Sequence, residues 1–168
     1  MILIKSLYIC YFLTILPHPM QSYQPMFKNC TDVVKQGNGK DLDLYLAVAS
    51  YESKFLDIIS NGNHGVFQIK PKYWCNVPCD DLIKAGINAL FFLGKRYKTR
   101  KKLLCHYNRG NLCDEKGLRY AKNVISKSIK IKRILNDFDR NGMIIYLTYL
   151  SSILSHFRCV LDTSSTCS

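Results

Sequence analysis

Three short stretches of the chain set reactive polar side chains beside apolar ones, and each suits work on a carbohydrate. In Glu52-Ser53 a carboxyl group has Tyr51, Phe55 and Phe67 available as walls. Apolar walls strip water from a carboxylate and hold its proton to higher pH, which makes Glu52 a candidate general acid for a glycosidic oxygen. The run Gly65-Val66-Phe67-Gln68-Ile69-Lys70-Pro71 reads as a short β-prone arm, with Phe67 and Ile69 on one face and Val66 and Gln68 on the other. Gly65 would let a ligand approach the backbone, and the Gln68 amide can both donate and accept hydrogen bonds. In His106-Tyr107-Asn108-Arg109-Gly110 the tyrosine offers a flat face and a hydroxyl, the asparagine an amide, and Gly110 a turn. The same five residues also read as an ordinary helix end.

These stretches need elements to bring them together, and the pattern predicts mostly helices. Asp41 to Tyr51 is densely apolar, with acidic residues in its first turn, and delivers Glu52 to its C-terminal end. Asn61-Gly62-Asn63 is a turn signal ahead of the β-prone arm. Asp80 or Asp81 can cap a helix that carries Leu82, Ile83, Ile87, Leu90, Phe91 and Leu93 to about Tyr97. A short helix through Leu103 and Leu104 ends at Asn108 to Gly110. A basic amphipathic helix follows from about Lys116 to Leu135, with Leu118, Ala121, Val124, Ile125, Ile129 and Ile134 as its apolar stripe. The apolar stretch Met143 to Phe157 is too short and too rich in serine for a membrane span, and a packed terminal helix is expected there.

The chain has 168 residues, 48% of them hydrophobic, which suits one folded domain and excludes a disordered chain. Its formal charge of +12 is concentrated locally. Gly94 to Arg133 holds 14 lysines and arginines against only Asp114 and Glu115. Such a block points to an anionic partner or to a solvated helix face, and charge alone does not choose. Residues 1–22 carry one cation, Lys5, an apolar run from Leu7 to Leu16, Pro17-His18-Pro19 and the small Ser22, the pattern of a secretory signal peptide or a retained N-terminal anchor. Cys10 lies within that segment, and seven cysteines follow it. Export favours disulfides, and Cys75 with Cys79 and Cys105 with Cys113 are the expected pairs because each brackets a short turn. Their spacing fits no closed zinc pattern well, so no metal is expected.

In their order these motifs resemble a known group. A helix end carrying Glu52-Ser53, then Gly65-x-Phe67-Gln68-Ile69-x-Pro71, Ile83-Lys84-Ala85-Gly86 with Leu90, Tyr107-Asn108-x-Gly110, and Tyr120 with Val124 occur as in lytic transglycosylases of the lysozyme-like superfamily. The similarity covers about Asp41 to Ile131. It implies an α+β, mainly α-helical lysozyme-like fold with a small β-hairpin beside an active-site cleft, and a division into residues 1–22, a catalytic domain over 23–135 and a tail over 136–168. It also implies cleavage of the β-1,4 bond between N-acetylmuramic acid and N-acetylglucosamine in peptidoglycan, without cofactor. Glu52 would act first as acid and then as base, Ser53, Gln68, Tyr107 and Asn108 would bind or orient the glycan, and Gly65 would leave room for it. The partners implied are peptidoglycan strands and an anionic cell envelope, met by a secreted or periplasmic monomer.

Gly65 to Asn76, with Pro78-Cys79, also looks like animal c-type lysozymes. Those carry a second carboxylate just before the glycine, where Asn63 and His64 stand here; Asp57 would be the substitute. Cysteines of that class are missing at Ala47 and Leu93. A single-carboxylate mechanism therefore fits better, with a hydrolytic antibacterial lysozyme and a non-catalytic glycan binder as alternatives. Nucleic acid is not the expected partner, because Tyr97 and Tyr120 are too sparse among the cations to form a stacking platform.

Overall fold

The computed structural model describes residues 2–14, 23–37, 39, 41–75 and 79–161. Pro17-His18-Pro19, Ser22, Asn76, Pro78 and Cys167 lie outside them, as does the side chain of Cys159. Among the described residues the architecture is mainly helical with one small antiparallel sheet: α1 (Ile2–Thr14), α2 (Tyr23–Gln36), α3 (Leu42–Glu52), β1 (Ile59–Ser60), β2 (Asn63–His64), α4 (Pro71–Trp74), α5 (Leu82–Arg96), α6 (Arg100–Arg109) and α7 (Glu115–Leu161).

Helix α3 is the centre of the core. Every residue from Leu42 to Ser50 is buried, so this stretch of the helix has no solvent face and is held by packing on all sides. One of the nine is charged. The Asp43 carboxylate accepts hydrogen bonds from Arg100 of α6 at 2.5 and 3.1 Å and from Ser128 of α7 at 2.5 Å, while Arg100 also reaches Asp41 at 3.1 Å. Burial pushes the Asp43 carboxyl up, but the hydrogen bonds from Arg100 and Ser128 and the nearby charges outweigh it, so it lies below the ordinary carboxylate range. Three helices are thereby locked to one buried charge.

The caps explain where the helices start. Asp81 accepts from the Lys84 backbone N–H, Thr99 from that of Lys102 and Asp114 from that of Gly117, each satisfying a donor that the first helical turn leaves over. Helix α7 then runs unbroken to Leu161, across the boundary expected at residue 135, because no proline interrupts it. Its buried stripe is rotated from the expected one. Tyr120, Ala121, Val124, Ser128, Ile131, Leu135 and Phe138 face inward, and Ile129 is exposed. Ser128 turns inward to reach Asp43, on the face that also buries the expected Ala121 and Val124, and this puts Ile129 on the outside.

The β-prone arm is also corrected. The strands precede it: Ile59 pairs with His64 and Ser60 with Asn63 across an Asn61-Gly62 turn with positive φ at both residues. Gly65 to Gln68 is a turn, curled back by positive φ at both Gly65 and Gln68, so that Val66, Phe67 and Ile69 are all buried and no alternation survives.

Disulfides join Cys75 to Cys79 and Cys105 to Cys113, the two expected pairs, and Cys10 to Cys30. The last joins a cysteine of the apolar N-terminal segment to α2. Helix α1 is tied to α2 by this bond and to α7 by the Lys5–Asp139 ion pair and by ring contact between Tyr8 and Phe138. Among the described residues no helix is long and apolar enough to cross a membrane. The disulfides fit an oxidising environment.

Removing the Arg100 side chain leaves the buried Asp43 charge with Ser128 as its only side-chain hydrogen-bond partner among the described residues. Arg100→Ala is expected to lower the free energy of unfolding by about 2–3 kcal/mol, read from denaturant melts. Because the folded Asp43 pKa is depressed, its stabilisation is complete above about pH 4 and is lost as pH falls through the lower folded value. Asp43→Asn should flatten that acid limb of the stability profile.

Candidate active site

The chain leaves α3 immediately after Glu52. Ser53 caps the helix through its backbone N–H, and Lys54 and Phe55 both take left-handed φ values, of 55° and 64°, which end the helix and drop Phe55 into the core. The Asn29 side chain of α2 donates to the Phe55 carbonyl at 2.8 Å and pins this reversal. Glu52 is thus presented from a rigid helix end rather than from a loop.

Its surroundings are aromatic. Tyr120 of α7 donates its hydroxyl proton to Glu52 Oε1 at 2.5 Å, and the Tyr51 ring packs edge-on against Tyr120 at 5.2 Å. Burial raises the Glu52 pKa, and the Tyr120 hydrogen bond, which favours the charged form, only partly offsets it. Burial and the Glu52 charge push the hydroxyls of Tyr120 and Tyr107 well above their ordinary value, so both remain donors. Tyr107 donates to the Phe67 carbonyl at 2.5 Å. Phe55 and Phe67 are core residues, and the nearer walls are these two tyrosines.

Glu52 opens onto a cleft of about 770 Å³. Gln68, Tyr107 and Asn108 line it too, so the structure brings three of the expected binding residues together with the carboxyl group. Tyr73, Trp74 and Phe92 lie along one stretch of the wall, with Trp74 edge-on to Phe92 at 5.9 Å. Tyr97 and His106 form a parallel stack, 4.0 Å between centroids, along another. Flat apolar faces and exposed amides are what the two surfaces of a sugar ring require, its C–H face packing on rings and its rim of hydroxyls pairing with polar groups. Lys70, Arg96 and Arg109 add positive charge, although Arg109 is paired with Asp114 at 2.9 Å. Among the described residues Glu52 is the only carboxylate lining the cleft.

Other expected site residues have different positions. Ser53 is 5% exposed, and its hydroxyl donates to the Val66 carbonyl at 2.9 Å and the Ala49 carbonyl at 3.2 Å. It ties the Gly65–Gln68 turn to α3 and does not line the cleft. Gly65 sits in the left-handed region, with Leu82 of α5 only 3.0 Å from where a Cβ would be, so its lack of a side chain serves packing. The Gln68 amide donates to the carbonyls of Ile58 and Gly65, both at 2.8 Å, and so braces the hairpin from the cleft wall. Asp57 lines a separate cavity with Asp32, Asp80 and Asp81 and cannot serve Glu52 as a second carboxylate there.

The residue that sequence reasoning left out of the site is Tyr120. Its signal was present, since it lies one turn before Val124 on an inward face, but nothing in the chain says that this face meets the end of α3. No family model, curated protein or solved structure matches the chain.

Tyr120→Phe removes the hydrogen bond that lowers the Glu52 pKa, so that pKa should rise. The alkaline limb of any Glu52-dependent activity, or the carboxyl titration followed by NMR, should move to higher pH. Gly86 of α5 lies against Phe67, whose ring carbons are 2.4 Å from where a Cβ would stand. Gly86→Ala should therefore cost about 1–3 kcal/mol of stability, read as a lowered thermal midpoint, although alanine is the better helix former.

Proposed function

We propose that the chain is a peptidoglycan-cleaving glycosidase of the lysozyme-like superfamily, acting by the lytic transglycosylase route. The observation that carries the reading is the lone carboxyl group, desolvated and donor-supported, in a cleft of ligand-binding size lined by aromatic rings and amides. A carboxyl group with a raised pKa holds the proton that a leaving glycosidic oxygen needs.

The steps follow from one group used twice. Glu52 gives its proton to the oxygen between N-acetylmuramic acid and N-acetylglucosamine as the anomeric carbon–oxygen bond breaks. The resulting carboxylate then takes the proton of the muramyl 6-hydroxyl, whose oxygen closes on the anomeric carbon to leave a 1,6-anhydro sugar. Glu52 ends as it began, protonated, and no water is consumed. A route through a covalent glycosyl intermediate asks for a second carboxylate about 5 Å from the first, and the cleft lining holds none among the described residues. Tyr120 would hold the Glu52 carboxyl orientation through both proton transfers. Tyr107 and Asn108 would meet the glycan directly, while Ser53 and Gly65 would act by shaping the wall. The excess positive charge would draw the enzyme to an anionic envelope, and the Cys75–Cys79 and Cys105–Cys113 disulfides suit a secreted or periplasmic setting reached through the N-terminal segment as a signal peptide or, with Cys10–Cys30 kept, as a retained anchor.

Incubating the chain with purified peptidoglycan should release muropeptides with anhydro ends, read by mass spectrometry, and Glu52→Gln should lose at least a thousandfold of that release. Reducing ends would mark a hydrolase instead, and intact peptidoglycan across pH and salt would overturn both enzyme readings.

A further inference from the structure

The cations of α7 are not scattered round the helix. At 100° per residue, Lys116, Arg119, Lys122, Lys127, Lys130 and Arg133 fall within an arc of about 140°, opposite the buried stripe. Asn123 and Ser126 fill the middle of the arc, and the exposed Ile129 stands at its margin. No carboxylate occurs between Lys116 and Asn136; Glu115 and Asp137 bound the stripe at its two ends. Lys132 lies outside it, on the side of Asp43, whose carboxyl it helps to hold down.

The second observation is crowding. Lys127 sits at the edge of the core face, partly buried, where it feels the positive charges of Lys130 one turn on and of Lys54 from the turn after α3. Burial and these two like charges pull the Lys127 pKa down. The carboxylates on elements packed against this region are engaged elsewhere: Asp41 and Asp43 with Arg100, Glu52 with Tyr120, Asp114 with Arg109 and Asp139 with Lys5. Like charges brought together on a folded surface are relieved by an anion that bridges them.

We propose that this face of α7, with Lys54, binds a linear phosphodiester polymer of a cell surface. The stripe runs for about 25 Å, with cations every three to five residues, so it matches a chain bearing one negative charge per short polyol unit. Asn123 and Ser126 fill most of the stripe, and two separated isoleucines, Ile129 at its margin and the half-buried Ile134 within it, make no continuous apolar face to insert into a lipid surface, while an oxidising compartment is not where nucleic acid is met. This surface is distinct from the Glu52 cleft, and binding to it does not depend on the glycosidase reading.

The test uses the full chain carrying Glu52→Gln and, as probe, immobilised poly(glycerol phosphate). Lys54→Gln, Lys127→Gln and Lys130→Gln combined should weaken binding at least tenfold and flatten its salt dependence. Lys98→Gln, Lys101→Gln and Lys102→Gln combined removes the same charge from the chain and should cost less than threefold. Lys127→Arg should bind as the parent does, which separates lost charge from lost folding. Equal losses in the two triple variants would reduce the face to bulk charge and overturn the proposal. So would tighter binding to duplex DNA or to phosphatidylglycerol vesicles than to the polymer, or no binding at low salt.

Discussion

A single buried carboxylate orders this molecule. Asp43 is the one charged residue in the buried stretch of α3 from Leu42 to Ser50, and leaving it unpaired there would cost several kcal/mol, so the fold is constrained to bring it a partner. Arg100 and Ser128 are those partners, and they come from two different helices. Meeting the constraint fixes the rotation of α7 and the docking of α6 against α3. Both consequences are felt nine residues along α3, where Glu52 emerges: the same rotation of α7 that faces Ser128 to Asp43 also faces Tyr120 to Glu52.

The remainder of the site is assembled around the Gly65–Gln68 turn. Its carbonyls are its main adhesive. Val66 accepts from Ser53, Phe67 from Tyr107, and Gly65 from Gln68. Phe67 fills the space left open by Gly86 on α5. The turn therefore joins the end of α3, the end of α6 and the middle of α5 at one point, and the cleft is the gap left between these three and α4. A carboxyl group in such a place gains a raised pKa from packing alone, without any neighbouring negative charge.

Local signals were the legible part. Helix caps at Asp81, the Asn61-Gly62 turn, the short-range disulfides and the delivery of Glu52 by an apolar helix all follow from residues close together in the chain, and the structure has each of them. What misled was periodicity read without partners. The alternation of Gly65 to Ile69 is real in the sequence, yet two left-handed residues curl it into a turn. The α7 stripe counted aliphatic residues and passed over Tyr120 and Ser128, because a polar residue turns inward only when a buried partner waits for it. The bond from Cys10 to Cys30 depends on how α1 lies on α2, which the apolar character of the segment does not show.

The chain by itself determined which groups are present and the short-range order around them: one glutamate at a helix end, a tyrosine and an amide at another, a run of cations on one face of a third. Those properties depend on propensity, capping and helical periodicity, which act over a few residues. Only the tertiary structure decided that Glu52 loses its water, that Tyr120 supports it, that Asp57 lies elsewhere and that Ser53 and Gly65 brace the wall. Each of these depends on atoms brought together across 13 to 68 positions of sequence, and desolvation and hydrogen bonding are properties of that assembled neighbourhood rather than of any residue within it.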